Sequence, residues 1–239
     1  MTNGAGAEPA RILIVLHQET SIPGRVGTML EKRGFHLDIR RPRFGDPLPY
    51  TMAEHAGAVV FGGPMSANDP DAFIKREIDW MAVPLKEDKP LLGICLGGQM
   101  LAKQLGARVK AHPKDQVEIG YYPIKATDAG EAMMRWPSRV YQWHREGFEL
   151  PKGAELLAEG QVFANQAYRY GANAYGLQFH PEVTMRMMMR WTTKASDRLK
   201  LPGARNRRNH YAGRLFHDPA VERWLIAFLD HWIGRADQA

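Results

Sequence analysis

The chain has 239 residues, 44% of them hydrophobic and 24% charged, with a formal net charge of +6 and a single cysteine. That length can bury a full core. One cysteine excludes an intrachain disulfide and fits a reducing cytoplasm, and no apolar run approaches the roughly 20 residues of a membrane span. The N-terminus, MTNGAGAEPA, has neither an apolar nor a basic signal region, so residues 1–10 read as a flexible tail before one domain at 11–235. RILIVL then predicts a buried strand, and Pro23 to Arg33 an amphipathic helix closed by Gly34. FHLDIR predicts a second strand and AGAVVF a third. Asp69 to Lys86 predicts a helix whose end Pro84 breaks. PLLGI predicts a fourth strand, followed by a tight turn at Gly97-Gly98 and a helix that Gly106 ends. From about Val109 to Gln178 the pattern is strand-rich, as antiparallel additions would be. Met185 to Leu199 and Pro219 to Trp232 predict closing helices. The alternation of strands and helices implies an α/β fold, a parallel sheet with helices on both faces and its site at the carboxyl ends of the strands.

The only thiol, Cys95, falls at one such end, in Gly93-Ile94-Cys95-Leu96-Gly97. A G-x-C-x-G corner between strand and helix has the form of a nucleophile elbow. The helix N-terminus behind the thiol favours its anion, the nucleophilic form. The Leu96 N–H would point toward a developing oxyanion. The competing reading of Cys95 is a small buried hydrophobe. His180 follows the alternating Tyr175, Leu177 and Phe179 in AYGLQFHPEV, and Pro181 ends that strand. Glu182, two residues on, can bond one imidazole nitrogen and leave the other for the thiol. The alternative for His180 is a strand-end histidine satisfied by backbone.

GICLGGQ and YGLQFHPEVT in this order, with VVFGGPMS (Val59 to Ser66) and VYQWHREGFELP, resemble the class I glutamine amidotransferases. Within that family the likeness is to the amidotransferase domain of GMP synthetase, and it covers roughly residues 10–190. The resemblance implies a flavodoxin-like, doubly wound, mostly parallel sheet with added antiparallel strands. It implies that Cys95 is the nucleophile, His180 the general acid/base and Glu182 its orienter, with Gly63 and Leu96 as oxyanion donors. Gln99 resembles the glutamine that holds the substrate's amino-acid end, and Trp143-His144-Arg145-Glu146 a loop whose backbone completes the pocket. The family more often carries a small residue or glycine beside this histidine, and here Trp143 and Arg145 flank it. The departure bears on the substrate more than on the chemistry.

The implied activity is thioester-forming attack on the γ-amide of glutamine or a γ-glutamyl compound, needing no metal or organic cofactor. The family delivers ammonia to a synthetase, and none is recognisable here. The expectations are therefore a separate acceptor subunit or a γ-glutamyl peptide hydrolase acting alone; a non-catalytic regulatory protein on the same fold is the third. Other features are weaker. Arg198 to Arg214 holds six Lys/Arg and no acid, which accounts for the whole net charge. It reads as a basic loop facing solvent or a partner, with nucleic acid ranked last. Met185, Met187, Met188 and Met189 read as adaptable core. His112, Asp115 and Glu118 follow no metal-ligand spacing, and GGPMS lacks the lysine of a phosphate loop.

Overall fold

A computed structural model describes residues 9–234; most of the expected tail, and the last residue of the expected domain at 235, lie outside them. Its elements are β1 (Arg11–Val15), α1 (Gly24–Lys32), β2 (His36–Arg40), β3 (Gly57–Val60), α2 (Ala72–Trp80), α3 (Ala82–Lys86), β4 (Leu91–Ile94) and α4 (Leu96–Gln104). There follow β5 (Val109–Ala111), β6 (Glu118–Ala126), α5 (Asp128–Met133), β7 (Arg139–His144), β8 (Glu146–Phe148), β9 (Ala154–Gly160), β10 (Asn165–Tyr170) and β11 (Ala174–Leu177). Two helices close the chain, α6 (Met185–Lys194) and α7 (Arg207–Ile233).

Nine strands form one sheet in the order β2-β1-β3-β4-β11-β10-β9-β6-β7, and β5 pairs with β8 separately. The first five run parallel, in the doubly wound order that places sites beyond the strands' carboxyl ends. From β11 outward the pairing is antiparallel. Successive strand residues point to opposite faces. Ile12 and Ile14 of β1 join α1 and α7 through Leu30, Trp224 and Phe228. Leu13 and Val15 join α2 and α4 through Ile74, Met100 and Leu101. A strand covered on both faces is therefore apolar at nearly every position, which is why RILIV reads as a continuous run.

The expected helix over 69–86 is two helices divided at Met81. Pro84 lies in the first turn of α3, where a missing N–H deprives no helical carbonyl, so it does not break the end. The closing helix begins at Arg207 rather than Pro219. Asn206 caps it by accepting from the Asn209 N–H at 3.0 Å, a stabilising arrangement. Pro219 removes only the bond to the Leu215 carbonyl, on a side of the helix where Leu215 is 74% exposed to water.

The basic segment is likewise not one loop. Ser196–Lys200 is a 3₁₀ turn, and the residues from Arg207 onward are helical. The Arg205 guanidinium stacks over Tyr122 at 4.9 Å, Arg207 donates to the Thr192 carbonyl at 2.6 Å, and Arg214 donates to the Val183 carbonyl at 3.0 Å. These charges tie the chain's own segments together. Met187 and Met188 are core, packed with Tyr141 and Val183, whereas Met185 and Met189 are exposed. Among the described residues no helix is long and apolar enough to cross a membrane.

Candidate active site

Between β4 and α4 a single residue turns the chain, and it is Cys95, at φ 52° and ψ −105°. For a residue with a side chain, such a backbone costs ~1–3 kcal/mol and persists only where its surroundings impose it. Here the Cys95 N–H donates to the Leu177 carbonyl at 2.7 Å, and the Cys95 carbonyl accepts from Gln99 at 2.9 Å. Glycine is needed on both sides. A Cβ on Gly97 would lie 2.0 Å from the Val60 oxygen, and one on Gly93 2.5 Å from the Gly97 carbonyl carbon. The corner leaves the thiol at the N-terminus of α4, where the helix dipole favours negative charge. Cys95 is only 5% exposed, at the floor of a cleft lined also by Gly63, Leu96, Gln99, Trp143, Arg145 and Arg198.

β11 runs beside β4, with Leu177 opposite Ile94, so the segment after it reaches the same edge as Cys95. There the His180 Nδ1 meets Glu182 Oε1 at 2.7 Å. Among the described residues its buried Nε2 has no hydrogen-bond partner at close geometry, and it faces Cys95. Gly62, beyond β3, adjoins both the ring and the cysteine: a Cβ there would stand 2.8 Å from His180 Cε1 and 3.4 Å from Cys95 Cβ. The ends of β3, β4 and β11 thus converge because the residue beyond β3 carries no side chain. Burial pulls the His180 imidazole toward neutrality, but the Glu182 carboxylate and Cys95 outweigh it and push its pKa up to about 10. The ring therefore holds its proton at neutral pH.

Two further groups near this pair escaped the sequence reading. Gln178 places its amide nitrogen 3.8 Å from Cys95 Sγ. Its position two residues before His180, on the same face of an extended chain, was the available signal. Trp191 of α6 meets the His180 ring edge-on at 5.0 Å, and nothing local in the sequence marks it.

The expected pocket residues divide by role. Leu96 opens α4, so its N–H has no acceptor within the helix, and Gly63 faces the same cleft. Gln99 donates its amide hydrogens to the Glu146 carbonyl at 2.8 Å and to Gln178 Oε1 at 3.2 Å, which leaves its own oxygen as the acceptor. The His144 side chain is fully engaged, with Nε2 3.0 Å from Glu118 Oε2 and Nδ1 2.9 Å from the Glu146 carbonyl. Its ring braces the loop. Trp143 is half-buried and also packs on Trp191, 5.7 Å between ring centres. Arg145 is exposed at the rim. Arg198 reaches the cleft from the 3₁₀ turn, and the sequence reading had left it undistinguished within the basic run. Burial, and then the neighbouring Arg145 charge, lower its pKa, while Cys95 acts the other way. Glu118 is occupied by His144, and His112 packs on Phe163 instead.

A profile of the family described as Glutamine amidotransferase class-I matches residues 18–194. The glutamine amidotransferase-like protein YfeJ of Salmonella typhimurium is 33% identical over 187 residues, covering 73% of this chain and 77% of that one. The glutamine-hydrolyzing GMP synthase of Aeropyrum pernix is 34% identical over 161 residues; the match covers 66% of this chain and only 30% of that protein. Among solved structures, a glutamine amidotransferase from Methylobacillus flagellatus superposes with a TM-score of 0.84 at 26% identity, over 95% of this chain and 94% of that one. The chain belongs to the class I glutamine amidotransferases.

Proposed function

We propose that the chain is an enzyme in which Cys95, activated by His180 and Glu182, attacks the γ-carboxamide of glutamine or of a γ-glutamyl compound. The observation that carries this reading is the unpartnered His180 Nε2 beside the thiol, with Nδ1 held by Glu182 at 2.7 Å. In the first step the Cys95 thiolate adds to the γ-carbonyl carbon, and the carbonyl electron pair moves onto oxygen. The Gly63 and Leu96 N–H groups receive that oxyanion; a donor of this kind is worth about 3 kcal/mol. The carbonyl re-forms as the C–N bond breaks, and the His180 imidazolium gives its proton to the departing nitrogen. A γ-glutamyl thioester and ammonia, or an amine, result. Neutral His180 then takes a proton from water as that water attacks the thioester. The C–S bond breaks, glutamate leaves, and the thiolate–imidazolium pair is restored. Gln99 Oε1 is suited to the substrate's ammonium group.

The test is an assay of the purified protein for ammonia release from glutamine and for cleavage of γ-glutamyl dipeptides, with an electrophilic glutamine analogue as covalent label. Labelling at Cys95 and silence of Cys95→Ser are the expected results; full activity of Cys95→Ala would refute the reading.

A second observation favours one form of this activity. Arg145 and Arg198 share the cleft with Cys95 and, among the described residues, make no ion pair with an acidic side chain. Two adjacent cations suit a substrate with a carboxylate beyond the γ-glutamyl group, cleaved by the chain alone. Delivery of ammonia to a separate acceptor subunit is the competing form, supported by the likeness to a glutamine-hydrolyzing GMP synthase of which this chain matches 30%. We read residues 11–235 as one domain, since a single sheet joins β1 to β11 and α7 packs back against β1. A cytoplasmic location suits an enzyme whose only thiol must stay reduced.

A further inference from the structure

Behind the wall of the cleft lies a pair of ionisable side chains that the proposed reaction does not use. His17, just past β1, is 0% exposed, and Glu77 of α2 is 1% exposed. They meet at 2.6 Å through His17 Nε2 and Glu77 Oε2. Glu77 Oε1 has no hydrogen-bond partner among the described residues. A buried ion pair is commonly no more stabilising than apolar side chains of the same volume, so the fold gains little from keeping this one. What it gains lies on the other side of the ring, where His17 Nδ1 is 3.2 Å from the carbonyl oxygen of Gly62.

A carbonyl oxygen only accepts, so Nδ1 must carry the hydrogen. One proton is then shared between Nε2 and Glu77, and wherever it resides, Nδ1–H still points at Gly62. The Gly62–Gly63 peptide is planar and trans, with its C=O and N–H on opposite sides. With the carbonyl drawn toward His17, the Gly63 N–H is turned away from it, toward the cleft that Gly63 lines. Glycines on both sides of this peptide leave it free to rotate unless something holds it. We infer that His17, oriented by Glu77, is a positioning residue that fixes the Gly62–Gly63 peptide with its N–H toward the oxyanion. The inference rests on the thioester reading above and assigns that reading a part outside the triad.

The experiment compares wild type, His17→Phe, which keeps a ring but no donor, and His17→Gln, which restores one. Four quantities are read: kcat, KM, the affinity for a γ-aldehyde analogue of glutamine, and the rate of Cys95 alkylation by iodoacetamide. The thiolate adds to the aldehyde carbon and leaves a negative oxygen in the oxyanion position, whereas alkylation needs no such position. His17→Phe should lose on the order of 100-fold in both kcat and aldehyde affinity, with KM and alkylation within a few-fold of wild type. His17→Gln should recover part of that loss. A folded His17→Phe with undiminished kcat and aldehyde affinity would overturn the inference, as would alkylation falling in step with kcat. If His17→Phe does not fold, Glu77→Leu takes its place with the same readouts; failure of both to fold would make the pair a stability device and also overturn it. Wild-type protein that neither turns over γ-glutamyl amides nor binds the aldehyde would refute the thioester reading itself, whereas an active wild type with an indifferent His17→Phe removes only the clamp.

Discussion

The His180–Glu182 pair after β11 and the His144–Glu118 pair between β7 and β6 are alike in composition and surroundings. Each is a histidine within 3.0 Å of a glutamate, and all four side chains are buried. They differ in what the second ring nitrogen does. In His144 it is bonded to the Glu146 carbonyl at 2.9 Å, and Glu118 accepts a further bond from Gln166. In His180 it is left to the neighbouring Cys95 thiol, with no closer hydrogen-bond partner among the described residues, and the second oxygen of Glu182 has none among them either. The first pair lies across neighbouring strands, with Glu118 directly opposite His144 in the ladder, and braces them. The second projects from a strand end beside a strained cysteine. An imidazole whose nitrogens are both bonded can hold a loop; one with a free nitrogen can move a proton.

Removing His180 or the thiol beside it breaks the comparison most sharply. In the proposed reaction both His180 and Cys95 make or break bonds, so His180→Ala and Cys95→Ala should each lower kcat by ~10³-fold or more. Cys95→Ala should leave the melting temperature nearly unchanged, whereas His180→Ala also strands the buried Glu182 and should lower it. Ammonia release under saturating substrate and a thermal melt measure both sides. Equal activity in wild type and His180→Ala would mean that FHPEV is only a strand end.

The next effect is smaller and appears in pH. His180 carries a pKa of about 10, with burial opposed by the Glu182 and Cys95 charges. In the proposed reaction its protonated form donates to the leaving nitrogen, so kcat/KM should fall as pH rises through about 10. Glu182→Gln keeps a hydrogen-bonding orienter but removes the charge, and burial then prevails. The alkaline limb should move to lower pH, with a loss of ~10- to 100-fold at neutral pH. The limb reports the Cys–His pair as a unit rather than either group. The same shift makes a stability prediction. A folded pKa above the ordinary 6.5 contributes stability that is complete below about pH 6.5 and lost as pH rises through about 10. Chemical denaturation across that window measures it, and an unmoved alkaline limb in Glu182→Gln would show that the carboxylate does not act on the imidazole.

Cys95, His180 and Glu182 were legible because each physical cause lies within a few residues. The elbow glycines flank the thiol, and the acid stands two places from the histidine. The doubly wound half was legible for a similar reason, since Ile12–Val15 and Leu91–Ile94 carry no polar side chain. What stayed hidden depends on segments distant in the chain. His17 meets Glu77 only after α2 folds onto the sheet. Arg198 enters the cleft only once α6 ends in a 3₁₀ turn. The start of α7 was misjudged because Pro219 is a local breaker, while the contacts that carry the helix past it are tertiary. The Asp218 carboxylate just before the proline is gripped by Arg25 at 2.6 and 2.9 Å and by Arg214 at 3.2 Å.

His144→Phe sharpens the comparison from the other side. It leaves the buried Glu118 carboxyl without its His144 hydrogen bond, a loss that costs about 1–3 kcal/mol or more. For a chain of this size that is a fall in melting temperature on the order of 10 °C. The Glu146 carbonyl also loses one donor, so the loop should loosen and KM rise a few-fold, while the alkaline limb stays near about 10 because His180 is untouched. A shifted limb in His144→Phe would give His144 a share in the proton transfer that its saturated ring denies it.

The smallest expected effect separates the two arginines of the cleft. Arg145 is exposed, and a contact from such a position is worth ~1 kcal/mol or less. Arg198 is half-buried, and a charge-assisted bond there is worth ~1.5–3 kcal/mol. Arg145→Ala should therefore cost a γ-glutamyl dipeptide a few-fold in kcat/KM, and Arg198→Ala about 10-fold or more, if both meet its terminal carboxylate. Glutamine has no carboxylate at that place and should be nearly unaffected by Arg145→Ala. Arg198 has a second interaction, because the Cys95 charge acts favourably on its cation. Removing it should slow glutamine slightly as well, through the thiolate. Added salt distinguishes the two contributions: screening should weaken the exposed Arg145 contact and leave the buried interaction with Cys95 largely intact. Equal losses for both substrates in Arg198→Ala would assign that arginine to the thiolate alone, and a wild type that strongly prefers glutamine would favour delivery of ammonia to a partner over hydrolysis of a longer γ-glutamyl compound.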